Sequence, residues 1–185
     1  MDLDKIEQGF KLMLEGMGED PNREGLLDTP KRVAKMYSEV FSGLHKDPAQ
    51  ELGTFFAEQY DEIVLLKDIP FVSMCEHHFL PFSGSASVAY IPSDKIVGLS
   101  KLARVVEVLA RRPQVQERLT NQIADTILTT LGAKGVGVVV QSTHSCMTIR
   151  GIKKPGSRMI TSAIRGVFRT ELAARTELFH LIGHP

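Results

Sequence analysis

Cysteine is scarce in this chain of 185 residues: only Cys75 and Cys146 occur. A chain of this length buries a core without disulfide support. In a reducing compartment two such thiols serve metals or catalysis more readily than a cross-link. Net charge is also missing, since 22 basic side chains balance 22 acidic ones. That balance argues against binding nucleic acid or an anionic membrane by bulk electrostatics. No apolar run approaches the ~20 residues that a membrane helix needs. The N-terminal MDLDKIEQGF has no basic stretch followed by an apolar one, so a signal peptide is not expected. These absences predict a cytoplasmic protein without nucleic-acid or membrane partners. Phosphate-binding loops are missing as well. No GxxxxGKS or GxxxxGKT occurs, and GVGVVV carries valine where GxGxxG requires its last glycine. Any phosphate must therefore be held by side chains. No repeat, low-complexity tract or obvious linker interrupts the chain.

Periodicity organises what is present. Leu3, Ile6, Phe10, Met13 and Met17 recur at helical spacing, with Gly16 and Gly18 as stops. DTPKRVAKMYSEVFSG predicts a second helix with Thr29 as N-cap, Pro30 in first position and Gly43 at its end. Val33, Met36, Tyr37, Val40 and Phe41 are its expected buried face. From Glu62 the pattern becomes β-like. EIVLLKDIPFVSM and GSASVAYIP read as antiparallel strands joined through CEHH. A helix opened by Ser100 follows, with Leu102, Val105, Val106 and Leu109 inward. Pro113 ends it and can begin another helix, carrying Val115, Leu119, Ile123, Ile127 and Leu131. Strand character returns in GVGVVVQS, CMTIRG and RMITSAIRGVF, and a short helix closes the chain over 171–182. The expected organisation is a helical region over 1–60 and an α+β domain over 61–185, in the order β-β-α-α-β-β.

Within CEHH, Cys75 and His78 stand two residues apart. In a turn that spacing lets a thiolate and an imidazole face one point, a pairing suited to zinc. Two ligands alone hold zinc weakly. Cys146, in QSTHSCMTIRG, can supply a third and leave one position open, as catalytic sites do. A buried cysteine acting as a small hydrophobe is the ordinary alternative for each thiol alone. His77 and His144, beside these ligands, are candidates for proton transfer near neutral pH. His45, His180 and His184 read as ordinary polar side chains. Lys101 and Arg104 share a helix face whose N-terminus attracts anions, and Ser100 can cap it. Arg150 follows Cys146. These cations are candidates for a phosphate, against the commoner reading of a solvated basic face, which also covers Lys153, Lys154, Arg158, Arg165 and Arg169. Gln116 and Glu117 open a helix. Glu117 either compensates the helix dipole or accepts paired N–H groups of a guanine edge; residue type does not choose.

The segments CEHHFLPF, AYIPSDKIVGLSKLARVVEVLARRPQVQERLT and HSCMTIRGIKKPGS resemble the signature segments of the GTP cyclohydrolase I family, in the family's order. The resemblance implies the tunnelling fold, with β-β-α-α-β-β units. It implies a toroidal homodecamer with active sites between subunits, and conversion of GTP and water to formate and 7,8-dihydroneopterin triphosphate for folate or biopterin synthesis. It implies Zn2+ bound by Cys75, His78 and Cys146, activating a water for attack at C8. His144 is then the principal proton donor and acceptor, with His77 assisting. Gln116 and Glu117 hold the ring system, Ser100 lies near the ribose, and Lys101, Arg104 and Arg150 contact the triphosphate. The short N-terminus suits a bacterial-type enzyme. Two alternatives remain: another tunnelling-fold pterin or deazapurine enzyme, such as the nitrile reductase with its cysteine nucleophile, and a structural zinc scaffold with a closed four-ligand site.

Overall fold

The computed structural model describes residues 1–53, 55–56 and 60–183, apart from the Phe55 side chain. His184 lies outside them. The chain forms two compact units, Met1–Ser42 and Gly43–Pro185.

In the first unit, α1 (Leu3–Gly16) is capped by Asp2, whose carboxylate accepts from the Lys5 N–H at 3.1 Å. Its buried residue is Leu14, not the expected stripe. Ile6 and Phe10 are half-buried, whereas Leu3, Met13 and Met17 are exposed. Within this small unit α1 packs on one helix, so the covered face is narrower than the apolar stripe. That helix is α2 (Thr29–Val40). Asp28, rather than Thr29, takes the N-cap position, and Pro30 is buried in the first turn. Ala34 and Phe41 are buried, and Tyr37 stacks on Phe41 at 5.4 Å. Met36, expected inside, is exposed.

The second unit opens with a 3-10 turn over Pro48–Leu52, which buries Leu52 in this unit's core. Then follow β1 (Phe55–Phe56), β2 (Val64–Cys75), β3 (Pro81–Ile91), β4 (Ile96–Val97) and α3 (Leu99–Ala110). Next are β5 (Pro113–Gln114), α4 (Gln116–Leu131), β6 (Gly135–His144) and a single helical turn, α5 (Ser145–Thr148). The chain ends with β7 (Met159–Gly166), α6 (Val167–Thr170) and α7 (Leu172–Gly183). One five-stranded sheet has the order β5-β2-β3-β6-β7; all its pairings are antiparallel except β2 with β5. The expected β-β-α-α-β-β order is present as β2-β3-α3-α4-β6-β7.

Alternation decides the faces. On β3, Ala86, Val88 and Tyr90 point to α3 and α4, together with Val136, Val138 and Val140 of β6. Leu102, Val105, Val106 and Leu109 of α3 and Leu119, Ile123, Ile127 and Leu131 of α4 meet them, all buried as the periodicity predicts. Each such side chain contributes about 1.5–3 kcal/mol when fully buried. The opposite face carries a smaller cluster, in which Ala89 packs with Phe168 of α6 and Leu178 of α7. At Gly84 of β3 an added Cβ would lie 1.9 Å from the Gln141 carbonyl oxygen, so the two central strands meet there without room for a side chain.

Three local expectations change. Pro113 does not begin a helix: Pro113 and Gln114 pair with Met74 and Cys75 at the sheet edge, where a missing proline N–H costs least. CMTIRG is not a strand. β3 offers no partner beyond Pro81, so the chain after His144 turns helical, with Ile149 N–H donating to Ser145 O at 3.0 Å. Ser100 does not cap α3; Gly98 occupies that position. The approach to α3 is fixed by Tyr90, fully buried, whose hydroxyl accepts from Val97 N–H at 3.0 Å. Tyr90→Phe leaves that N–H unpartnered and is expected to cost about 1–3 kcal/mol, measurable as a lower urea midpoint with unchanged slope.

Candidate metal centre and active site

β2 delivers Cys75 to the end of its strand, on the helix-covered face shared by Ile69, Phe71 and Ser73. The turn after it is tightly specified. Cys75 N–H donates to Leu80 O, Phe79 N–H donates to Cys75 O at 2.8 Å, and Glu76 N–H donates to Gln114 O at 3.0 Å. Phe79 adopts φ 51°, uncommon for a bulky non-glycine residue. The turn is further held to α4 by Glu76, whose carboxylate takes both arms of the Arg118 guanidinium. That hydrogen-bonded partner keeps the Glu76 carboxyl below its usual range.

Cys75, His78 and Cys146 come together here. Their ligand atoms all lie within 4.8 Å of one another. Ligand atoms held ~2.0–2.3 Å from a tetrahedral zinc ion lie about 3.3–3.8 Å apart, so the two thiols and the imidazole suit the ion in kind and would draw together by up to about 1 Å to bind it. No fourth histidine, cysteine, aspartate or glutamate joins the group among the described residues. Both cysteines are free thiols. Burial pushes the Cys146 thiol up, and the neighbouring Cys75 adds to this; Arg150 acts the other way. Arg150 Nη1 lies 3.1 Å from His78 Nε2. His77, exposed, turns its ring edgewise to His78 at 6.3 Å and stays out of the ligand group.

His144 lies beside this group. It pairs with Phe82 across β3 and β6, and their rings stack at 4.6 Å with 3° between planes. Burial pushes its pKa below the ordinary value, with Glu117 opposing. His144 Nε2 is 2.9 Å from Gln116 Oε1 and 3.1 Å from Ser142 Oγ. Gln116 is buried at 1% exposure, whereas Glu117 is exposed. Sequence reasoning missed Ser142, Phe82, Arg118 and the role of Glu76. Strand alternation could have found Ser142, two residues from His144 on the same face.

Ser100, Lys101 and Arg104 are not brought to this cluster. They occupy the first turns of α3, with Arg104 3.9 Å from Glu51. The other end of α3 borders the metal turn, because Ser73 Oγ donates to Ala110 O at 2.7 Å. Ser100 is thus about 15 Å up the helix from Ala110, at ~1.5 Å per residue.

A mostly antiparallel sheet under two helices, with a Cys-His-Cys group at its rim and a half-buried histidine alongside, defines an α+β protein with a metal-capable site. The profile of the family described as GTP cyclohydrolase I matches residues 6–183, and the chain belongs to that family of tunnelling-fold enzymes. A GTP cyclohydrolase 1 of Carboxydothermus hydrogenoformans is 60% identical over 185 residues, covering 100% of this chain and 96% of the relative. One from a Geobacillus species is 61% identical over 180 residues, covering 97% and 96%. One from Rhodopirellula baltica is 61% identical over 182 residues, covering 98% and 80%. Among solved structures, an apo archaeosine synthase QueF-Like aligns at TM-score 0.46 and 20% identity, over 57% of this chain and 94% of that one. No helix among the described residues is long and apolar enough to cross a membrane.

The ligand group makes a spectroscopic prediction. Cobalt(II) added to the reduced apoprotein should give thiolate-to-metal absorption at one ion per chain. The bands should vanish in Cys146→Ala and persist in His77→Ala; their persistence in Cys146→Ala would remove that residue from the ligand set.

Proposed function

We propose that the protein is a zinc-dependent GTP cyclohydrolase I, which opens the imidazole ring of GTP at C8, releases formate and forms 7,8-dihydroneopterin triphosphate. The observation that carries this reading is the open three-residue group of Cys75, His78 and Cys146 with His144 held beside it. Zinc bound there supplies activation of water for attack at C8. Cys75, His78 and Cys146 hold the ion. His144 gives a proton to N7, which makes C8 electrophilic, and serves as proton carrier in the later ring opening and closure. Burial suits it to return to the neutral form between steps. His77 assists from the solvent side. The exposed Glu117 carboxylate accepts the paired N–H donors of the guanine edge. Lys101, Arg104 and Arg150 neutralise the triphosphate with charge-assisted hydrogen bonds, and Ser100 lies near the ribose.

This reading places the site between copies of the chain, in a homodecameric ring. It is supported by the distance of α3's first turn from the metal turn, which a neighbouring copy can bridge with its own α3. Exposed apolar side chains on the sheet, Val72 at 49% and Ile160 at 64%, suit burial by further copies. A cytoplasmic location and a product destined for folate or biopterin synthesis belong to the same proposal. The lack of a fourth ligand among the described residues favours it over a closed structural zinc site.

The test is GTP turnover with formate and pterin both quantified, before metal removal, after it, and after zinc return. Both products should disappear and return together; absence of both from zinc-loaded, folded protein sinks the reading. His144→Ala should retain bound metal and lose about 10²–10⁴-fold in turnover. Lys101→Ala and Arg104→Ala should raise KM for GTP about 10–100-fold, the equivalent of one charge-assisted hydrogen bond, with metal content unchanged.

A further inference from the structure

Gln116 is expected from the resemblance to hold the substrate ring, but its side chain has nothing left to offer. Its Nε2 donates to Val140 O at 3.0 Å and Met159 O at 3.1 Å, and lies 3.1 Å from Thr161 Oγ1. Two backbone carbonyls can only accept, so the amide cannot be reversed without setting its oxygen against both. Its Oε1 therefore faces Ser142 Oγ at 2.6 Å and His144 Nε2 at 2.9 Å. An amide oxygen only accepts, so the hydrogen in the second contact belongs to His144 Nε2. The Ser142 hydroxyl spends its own hydrogen on Oε1 and can only accept from the same ring nitrogen, 3.1 Å away. All partners agree on one arrangement. The Phe82 ring, 1% exposed, fixes the plane of the imidazole. Turning the ring over would forfeit both hydrogen bonds.

We propose that Gln116 is a positioning residue for His144: it holds the imidazole as the Nε2–H tautomer and leaves Nδ1 as the nitrogen that exchanges protons with substrate. The proposal rests on the cyclohydrolase reading for its chemistry, and on the hydrogen-bond geometry for the tautomer. It moves recognition of the base to the exposed Glu117. It also specifies which edge of the imidazole works, since Nε2 is sealed against α4.

The experiment uses full-length, zinc-loaded protein labelled with 15N-histidine, with His144 assigned from the signals lost in His144→Ala. The neutral ring should show a pyrrole-type shift at Nε2 and a pyridine-type shift at Nδ1. The reverse pattern overturns the proposal. Gln116→Leu should lower kcat about 10²-fold, as a misplacement near 1 Å does, with KM for GTP little changed and the His144 signals redistributed between tautomers. A raised KM with unchanged kcat and unchanged His144 signals would instead make Gln116 a substrate contact and overturn the proposal. If Gln116→Leu does not fold, the wild-type spectrum and Ser142→Ala decide. Ser142→Ala keeps the Gln116 acceptor, so it should preserve the Nε2–H pattern, and loss of that pattern counts against Gln116. Absence of GTP turnover in the zinc-loaded wild type overturns the cyclohydrolase reading, while the spectrum still judges the tautomer separately.

Discussion

Residues 82–91 of β3 pair in unbroken register with residues 144–135 of β6, and the site depends on that register. Side chains alternate between faces, so a slip of one residue would carry His144 and Ser142 to the face opposite α4. The stack of His144 on Phe82 would be lost with it. The next pairing, β2 with β3, sets Ser73 against Phe82 and so brings Cys75 to the same rim. Two cysteines remote in sequence become neighbours because three strands agree on one alignment. The apolar residues that enforce the alignment, Val88, Tyr90, Val138 and Val140 among them, are deep in the core and take no part in chemistry.

Around this frame the buried polar side chains are mostly paired, and among the described residues Gln114 Oε1 is the exception, buried without a hydrogen-bond partner. Ser73, Gln116, Thr120 and Ser142 are all buried and all hydrogen-bonded. Thr120 Oγ1 and Thr161 Oγ1, 2.6 Å apart, extend the chain of contacts from α4 to β7. Satisfied networks of this kind stiffen a site, because losing any one partner strands the next. The metal turn has a different support, built from backbone hydrogen bonds and an ion pair at the surface. Exposed ion pairs contribute little stability, so Glu76 and Arg118 matter more for where the turn points than for whether the domain folds.

Much of this was legible in the sequence. The strand-turn-strand around CEHH and the inward stripes of the two central helices follow from spacing and alternation, whereas the approach of Cys146 to Cys75 and His78 was one option on residue type and was specified by the resemblance. The failures have physical causes. Met13, Met17 and Met36 fit apolar stripes yet are exposed, because periodicity reports which face is apolar and not how wide the covering surface is. Pro113 and CMTIRG were misread because their conformation is set by neighbours: one by an open place beside β2, the other by the end of β3. The resemblance gave Gln116 a place on the substrate ring, and spacing alone could not foretell that its amide donates to the Val140 and Met159 carbonyls. The compact units divide at 42/43, although the sequence period changes near Glu62, since the turn carrying Leu52 supplies core before any strand begins.

The close approach at Gly84 reaches beyond packing. With the Gln141 carbonyl oxygen 1.9 Å from where a Cβ would sit, even the smallest side chain is excluded behind the strand that carries Ser142 and His144. In a diverging lineage, replacing the exposed His77 removes a functional group without crowding the sheet. At Gly84 the first replacement already displaces the strand that aligns the site. A position without a functional group therefore restricts how this lineage can drift.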